Sequence, residues 1–478
     1  MSRPASVALA VALVAASVCP VLGGCGGDGQ NQDADTSPDA EIADGDAAVE
    51  TTDEGGDDAV PDADVPAEAD AEAGADAEPD ADTAVDSDAE PDADVAPDAD
   101  AEPETDVEPE AEVPVETDAE PEAEADGGTE DAPTDEEPET LDCSRGRYDV
   151  AATISTPAEL AALAGYTRIR AITITCAECL DLHDLSCLTT IDVNLFITGN
   201  TALTSLHGLE NLVTVPSWLQ IVNNPLLAGV DALASLEYAG GLVIQLNAIL
   251  ANVDGLSSLA TVGPTTLDIA FNASLTNLDG LSHLTTVEGD LHIRGNAVLS
   301  SIEGLSGLTS VAWSLEVGQN PALPNVNGLR NLASVGRDLS VSSNRTMTSL
   351  GAFEGLSTIP GNLAITGNDL LTDIESLHNI TTVAGILSVS ADPALTSLAG
   401  LRSVTSVGGD LYIRGDTSLT TLADLAALTS VTGHAYLDYD TRLPNCTATA
   451  FRDRLGLAGR ACIRGNLADA CPNDTSGC

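Results

Sequence analysis

The chain of 478 residues contains no lysine, so arginine supplies all 16 of its basic side chains. Aspartate and glutamate together number 77, which gives a formal net charge of −61 at pH 7. A chain this short of positive charge repels nucleic-acid phosphates and anionic membrane surfaces. We therefore expect no nucleic-acid partner.

Motifs of common catalytic sites are also missing. The sequence contains no GxSxG, no HExxH and no phosphate-binding loop. Its six histidines, which include His207, His283 and His434, are scattered without a paired nucleophile. We therefore predict that the protein is not an enzyme, and we expect no cofactor and no bound metal.

Acidic residues are concentrated in the first third of the chain. Before Cys143 there are 47 of them, and Arg3 is the only basic residue there. This stretch repeats phrases such as Ala-Glu-Pro-Asp-Ala-Asp and has no aromatic residue after position 25, so it cannot bury enough apolar surface to offset its ordering entropy. We predict a disordered acidic tether over residues 25–142 that acts as a spacer. Diffuse calcium binding by the aspartates is the alternative, but no Asp-x-Asp-x-Asp-Gly loop with a closing Glu is present.

The N-terminus has the features of an export signal. A short basic region at Arg3 precedes an apolar stretch from Ala5 to Val18, which is too short to span a membrane. The following run Leu22-Gly23-Gly24-Cys25 resembles the lipobox of bacterial lipoproteins. This resemblance implies a signal peptide over residues 1–24, lipidation at Cys25 and anchoring in the outer membrane through acyl chains. The solenoid described below would then lie at the cell surface or, alternatively, at the periplasmic face; an ordinary secretory signal is the other interpretation.

The remainder of the chain follows one period. A polar residue ends each Leu-x-Ile-x-x-Asn phrase, and these residues are 24 apart except for one interval of 23 followed by one of 25. They are Asn200, Asn224, Asn247, Asn272, Asn296, Asn320, Asn344, Asn368, Asp392, Asp416 and Asp440. Cys176 stands one period before the first of them, and the pattern predicts that its strand is slipped by one residue. We therefore predict a mainly β fold, a parallel β-solenoid of about 12 turns of 24 residues.

Within a turn, apolar residues first alternate and then recur at every third position. Leu291 and Ile293 suit a short strand with both side chains inward. The three-residue steps that follow suit 3₁₀-like or bent extended segments better than an α-helix. These steps place Leu299, Ile302, Leu305, Leu308 and Val311 in the core.

The polar column that ends each strand contains both Asn and Asp. The two residue types share an acceptor oxygen but not the amide donor. We therefore expect its common role to be acceptance of backbone N–H groups at the turn. A cation held by Asp392, Asp416 and Asp440 is the alternative.

Two phrases carry a resemblance to a known repeat family. Leu308-Thr-Ser-Val311 followed by Leu315-x-Val317, and the run from Val287 to Asn296, resemble the receptor L-domain repeat. The match covers about residues 170–445 and implies a right-handed solenoid that is extracellular and binds through its surface. Because the match lies in core positions, it transfers no binding residue.

Eight cysteines flank the repeat. Four precede it, Cys143, Cys176, Cys179 and Cys187, and four follow it, Cys446, Cys462, Cys471 and Cys478. We predict disulfide-bonded caps over residues 143–190 and 446–478 around a solenoid of residues 191–445, with three possible pairings in each set. A zinc or redox site at the Cys-x-x-Cys of Cys176 and Cys179 is the alternative.

Outward strand positions are the natural binding surface of such a fold. Most are small, but aromatic and charged residues accumulate on adjacent turns near the C-terminus: Tyr412, Arg414, Tyr436, Asp438 and Tyr439. Tyr and Arg dominate recognition hot spots, although packing against the C-terminal cap is the alternative. A second, weaker candidate comprises Phe271, His292, Arg294 and Glu316.

Two functions fit this organisation. The first is a lipoprotein that displays the solenoid to bind an extracellular protein or glycan. The second is a structural lipoprotein that organises or spaces the envelope without a discrete ligand.

Overall fold

The computed structural model describes residues 142–478. The predicted signal peptide, the lipidation site Cys25 and all but the last residue of the predicted tether lie outside the described residues. From residue 142 onward the chain is mainly β and coils as a solenoid, with parallel strands about 24 residues apart. This confirms the predicted parallel β-solenoid.

Each turn contributes one strand to a long parallel sheet, here called the first face. Its strands are Gly146–Ile154, Tyr166–Ile174, Leu195–Thr198, Thr214–Val222, Tyr238–Gln245, Thr266–Ala270, Asp290–Arg294, Leu315–Gly318, Leu339–Ser342, Leu363–Thr366, Leu387–Ser390, Leu411–Arg414, Ala435–Asp438 and Ala461–Arg464. Two-residue strands form a second face at Thr190–Ile191, Thr261–Val262, Thr286–Val287, Ser310–Val311, Ser334–Val335, Thr358–Ile359, Thr382–Val383, Ser406–Val407 and Ser430–Val431.

Short 3₁₀-helices form the third side of most turns, as the three-residue steps predict. They are His183–Leu185, Asp231–Leu233, Asp254–Leu256, Asp279–Leu281, Glu303–Gly307, Asn327–Leu329, Glu375–Leu377, Ala399–Leu401 and Ala423–Leu425. The described residues also form two α-helices, Pro157–Ala161 and Asn445–Arg454, which lie in the terminal caps. Within residues 142–478, no helix has both the length and the apolar character needed to cross a membrane.

One continuous apolar core runs through the stacked turns. In a typical turn, Leu291, Ile293 and Leu305 are completely buried, and their equivalents in the neighbouring turns pack against them. Burial of each such side chain stabilises the fold by about 2 kcal/mol. A single isolated turn buries too few of them to fold, so the turns are stable only when they are stacked.

Glycine permits the 3₁₀ sides to stack closely. A Cβ atom added at Gly304 would lie 1.9 Å from the carbonyl oxygen of Leu278 in the preceding turn, and one at Gly280 would lie 1.9 Å from that of Val253. The regular spacing of these glycines therefore reflects a close approach between backbones of adjacent turns.

The asparagine column forms a buried hydrogen-bonded ladder at the corner after each strand. Oδ1 of Asn296 accepts the backbone N–H of Asn272 at 3.0 Å, and its Nδ2 donates to the carbonyl of Ile269 at 2.9 Å. All ladder members from Asn200 to Asp440 are fully buried. The expected acceptance of backbone N–H groups is confirmed, and the asparagine amides additionally supply donors.

The start of the repeat is slipped by one residue, as the position of Cys176 predicts. Ile174 pairs with Ile197, which is 23 residues later, whereas Cys176 precedes Asn200 by 24. Elsewhere on the first face, Leu291 pairs with Leu315 at the regular interval.

Disulfides close both ends of the solenoid. The N-terminal pairs are Cys143–Cys187 and Cys176–Cys179, and the C-terminal pairs are Cys446–Cys471 and Cys462–Cys478. Cys176 and Cys179 are buried as well as oxidised, so this Cys-x-x-Cys offers no thiolate for zinc.

Arginine side chains cover exposed carbonyl groups at the last regular turn. Arg454 donates to the carbonyls of Leu425 and Leu428 at 2.9 and 2.6 Å, and Arg460 donates to that of Thr432 at 2.7 Å. The strand Ala461–Arg464 pairs in parallel with Ala435–Asp438 and so covers the edge of the first face. The C-terminal cap thus satisfies backbone groups that a repeat without a successor would leave unpaired.

Candidate binding surface

Outward side chains of the first face change character towards the C-terminus. The column that contains Ser340, Ala364 and Ser388 continues with Tyr412 and Tyr436 in register. The small residues therefore give way to two adjacent aromatic side chains over a single turn.

Tyr412 and Tyr436 stack on each other. Their ring centroids are 4.5 Å apart and their planes differ by 2°. On the side of Tyr412 away from Tyr436, the register neighbour is the small Ser388. On the far side of Tyr436, the register neighbour is Cys462 of the cap disulfide. The stack therefore uses the facing ring surfaces, and both side chains remain partly exposed.

Two guanidinium groups share one buried carboxylate in the neighbouring column. Asp438 is fully buried, with Arg414 Nε 3.2 Å from its Oδ1 and Arg464 Nε 3.4 Å from its Oδ2. Burial raises the pKa of Asp438, and the two arginines oppose this shift. Both arginine side chains keep about two fifths of their surface exposed, 41% and 42%. Asp438 thus positions them while leaving part of each guanidinium available.

Tyr439 covers the corner beside these arginines. It has a positive φ of 64° and is 46% exposed. Its ring centroid lies 5.8 Å from the Arg414 guanidinium carbon and 5.4 Å from that of Arg464. Tyr412, Tyr436, Tyr439, Arg414 and Arg464 therefore form one patch around Asp438, which we call the aromatic surface.

Asp410 lies at the edge of the aromatic surface. The Tyr412 hydroxyl donates to its carboxylate at 3.2 Å, and the backbone N–H of His434 donates to it at 2.7 Å. Burial and the nearby Asp410 carboxylate raise the pKa of Tyr412 to about 12, so this hydroxyl stays protonated at neutral pH.

The structure brings all five sequence-predicted residues of this site together and adds Arg464, which the sequence pattern missed. Arg464 pairs with Asp438 at an interval of 26 residues, because the cap helix Asn445–Arg454 intervenes and the period of 24 ends. The cap therefore contributes to this surface and does not cover it completely.

The second candidate is partly assembled. Arg294 contacts Asp268 at 3.0 Å and Glu316 at 4.0 Å, and His292 and Glu316 pair in register. Phe271 is 44% exposed. Because Asp268 compensates the charge of Arg294, this group leaves less free hydrogen-bonding capacity than the aromatic surface.

One group of possible metal ligands occurs among residues 142–478, in the C-terminal cap. It comprises Cys446, Asp469 and Cys471. The two sulfur atoms form a disulfide, and the Asp469 carboxylate accepts the backbone N–H groups of both cysteines at 3.0 Å. These three side chains therefore already have partners within the cap and stabilise its structure.

We predict that Gly465→Ala disturbs the aromatic surface more than Gly415→Ala. Both glycines have φ near 70°, so alanine should cost each about 1 kcal/mol. Only at Gly465 would the new Cβ lie 2.6 Å from the Tyr439 ring; at Gly415 the nearest atom is 3.7 Å away. Denaturant unfolding and the NMR signals of Tyr439 measure the difference. Equal stability losses with an unmoved Tyr439 ring would contradict the packing described above.

Comparison with known proteins does not assign this chain to a family. No protein-family model matches it, and no curated protein is similar to it in sequence. Its function must therefore be argued from the solenoid and its surfaces.

Proposed function

We propose that this protein is a cell-surface lipoprotein that displays its β-solenoid to bind a protein or a glycan in adhesion or recognition. The observation that carries the proposal is the aromatic surface: three tyrosines and two partly exposed arginines on adjacent turns, next to three turns whose outward strand residues are small. In a chain with only six tyrosines, this concentration favours a recognition role.

The geometry indicates how a ligand would be recognised. The hydroxyl groups of Tyr436 and Tyr439 and the partly exposed arginine side chains offer hydrogen-bond donors beside aromatic carbon, which suits acidic or polyhydroxylated groups. The resemblance of the repeat to receptor L-domains and of the N-terminus to bacterial lipoproteins supports the same proposal. Under this proposal the acidic tether holds the solenoid away from the outer membrane, and the solenoid performs no catalysis.

The test is binding of the full-length lipid-free chain to a glycan array that includes neutral and acidic sugars, and to immobilised intact bacterial cells. We expect Tyr436→Ala and Arg414→Ala each to weaken binding by about tenfold or more, equivalent to about 1.4 kcal/mol. Ser340→Ala, on the same face three turns from Arg414 and four from Tyr436, is the matched control and should bind like the wild type. Binding that is unchanged in both site variants would reject the aromatic surface as the binding site.

A structural role in the envelope is the second candidate. The run of small outward residues on three consecutive turns, at Ser340, Ala364 and Ser388, favours it because this part of the first face offers no recognition chemistry. Protection of the repeat from added protease on intact cells, with loss after lysis, would place it in the periplasm and favour this role.

A further inference from the structure

The buried ladder changes its chemistry near the C-terminal end. Up to Asn368 every member is an amide, the next three are Asp392, Asp416 and Asp440, and the amide returns at Asn466. All three acids are fully buried. The fold therefore replaces three amides by carboxyl groups in its interior without a basic side chain bonded to any of them among the described residues.

One oxygen of each acid performs the acceptor role of the ladder. Oδ1 of Asp392 accepts the backbone N–H of Asn368 at 2.7 Å. In the same way, Oδ1 of Asp416 accepts from Asp392 and Oδ1 of Asp440 accepts from Asp416, both at 2.8 Å. Each aspartate thus retains the acceptor role that an asparagine has in the ladder.

The other oxygen stands where an asparagine has its donor. In Asn368, Nδ2 donates to the Val341 carbonyl, 27 residues earlier, at 3.1 Å and to Oδ1 of Asp392 at 3.2 Å. In Asp392, Asp416 and Asp440, the corresponding Oδ2 atoms are buried and have no hydrogen-bond partner.

Counting back the same 27 residues, the carbonyl groups that an amide at these three positions would bind are those of Ile365, Val389 and Ile413. An ionised carboxylate is only an acceptor, so its Oδ2 would face a second acceptor in the interior. A protonated carboxyl has an O–H in the place of the missing amide donor.

We propose that Asp392, Asp416 and Asp440 are neutral carboxylic acids in the folded protein, each donating its proton where an asparagine amide would donate, and that ionisation opens the last turns of the solenoid. On opening, each acid releases one proton to solvent and exchanges its ladder hydrogen bonds for bonds to water.

The surroundings of the first two acids favour the neutral form. Burial raises the pKa of Asp392 to about 7, and the nearby Asp369 acts in the same direction, against the donors of Asn368 and the backbone of Ser390. Burial raises the pKa of Asp416 to about 9, and the acids on both sides of it, Asp392 and Asp440, reinforce the shift.

The third acid has a more mixed environment. Burial raises the pKa of Asp440 to about 7, and Asp438 adds to this shift. Arg414 and the backbone N–H groups of Asp416 and Gly415 oppose it. Of the three acids, Asp416 in the middle has the highest pKa and so stays neutral to the highest pH.

The direction of the pH dependence follows from these raised pKa values. An opened chain ionises its aspartates near their ordinary pKa of 3.8, whereas the folded ladder holds its protons up to about 7 for the outer two and about 9 for Asp416. The stabilisation is therefore complete below about pH 4 and decreases progressively as the pH rises, until it is fully lost above about 7 for the outer two acids and above about 9 for Asp416.

The test is hydrogen exchange of the full chain between about pH 5 and 8, corrected for the intrinsic pH dependence of exchange. The reporters are the backbone N–H groups of Asn368, Asp392 and Asp416, which the ladder acids bind. In the wild type we expect their opening to increase at least tenfold per pH unit over part of this range. In the triple variant D392N/D416N/D440N we expect no such increase.

Two controls accompany this test: N–H groups elsewhere in the same ladder, and an aspartate introduced at another ladder position. The N–H groups of Asn272 and Asn296, bonded to amide members of the ladder, should show no pH dependence in either protein. The variant Asn320→Asp should make the opening of turns in the middle of the solenoid depend on pH as well. If the triple variant does not fold, an infrared band of protonated carboxyl groups that persists in the wild type at about pH 7 tests the same point.

Two results would overturn the proposal. One is the same pH dependence in the wild type and a folded triple variant. The other is stabilisation by calcium at about pH 5 of the wild type but not of the triple variant, which would mean that the acids are ionised in the folded protein and hold a cation.

Discussion

Replacement of Asn296 by alanine is expected to lower the free energy of unfolding by about 4 kcal/mol. The variant removes the acceptor of the buried Asn272 N–H group and the donor to the Ile269 carbonyl, and it leaves a cavity at a fully buried position. An unsatisfied buried donor alone costs about 1–3 kcal/mol. Denaturant unfolding, with hydrogen exchange to locate the opened turns, measures the effect.

Asn331→Ala provides a matched control for this prediction. Asn331 also donates from its side chain to a backbone carbonyl of the preceding turn, that of Ser306 at 2.8 Å, but the side chain is exposed. Water can replace that hydrogen bond, so its loss should cost under about 1 kcal/mol. Similar losses in the two variants would show that burial of the ladder contributes little.

Truncation of the chain after Asn445 is expected to convert the protein into larger, associated species. The deletion removes the strand Ala461–Arg464, so the N–H and C=O groups of Ala435–Asp438 become an open edge. It also uncovers Leu437 and Leu443, which are fully buried in the intact chain. An unpaired parallel edge above an apolar core is a template for pairing with another chain. Size-exclusion chromatography with light scattering, compared with the intact chain, tests this.

The double variant Cys446→Ser/Cys471→Ser separates the covalent from the non-covalent contribution of the cap. It should lower stability by about 3 kcal/mol, as expected for loss of a disulfide across a loop of this length, and keep the particle size of the intact chain. If this variant associates as strongly as the truncated chain, the disulfide and not coverage of the edge prevents association.

Regular features of the fold could be predicted because the sequence repeats them. Each turn must bury the same inward positions, so the period of 24 defines the strands, the core residues and the ladder of Asn200 to Asp440 together. The regular spacing of glycines such as Gly280 and Gly304 is also visible in the sequence. The reason for it, the close approach of Gly304 to the Leu278 carbonyl in the preceding turn, is apparent only in the structure.

Irregular features could not be predicted in the same way. The turn around Phe353, which has a φ of 81°, lacks the 3₁₀-helix of its neighbours, and no repeated signal marks this change. The cysteine pairings depend on how the caps fold, since each set of four allows three pairings. Arg464 was missed for the same reason: it pairs with Asp438 only because the cap helix shifts the interval to 26 residues.

The cap disulfide Cys143–Cys187 determines where mechanical force enters the solenoid. A pull transmitted along the chain from residues before 143 passes through the covalent bridge to Cys187 and bypasses the strands Gly146–Ile154 and Tyr166–Ile174. The first strand under load is then Thr190–Ile191, which is paired with a strand on each side. Tension at the N-terminus therefore cannot peel the outermost turn and must instead pull on an interior one, so the solenoid resists stepwise unravelling from that end.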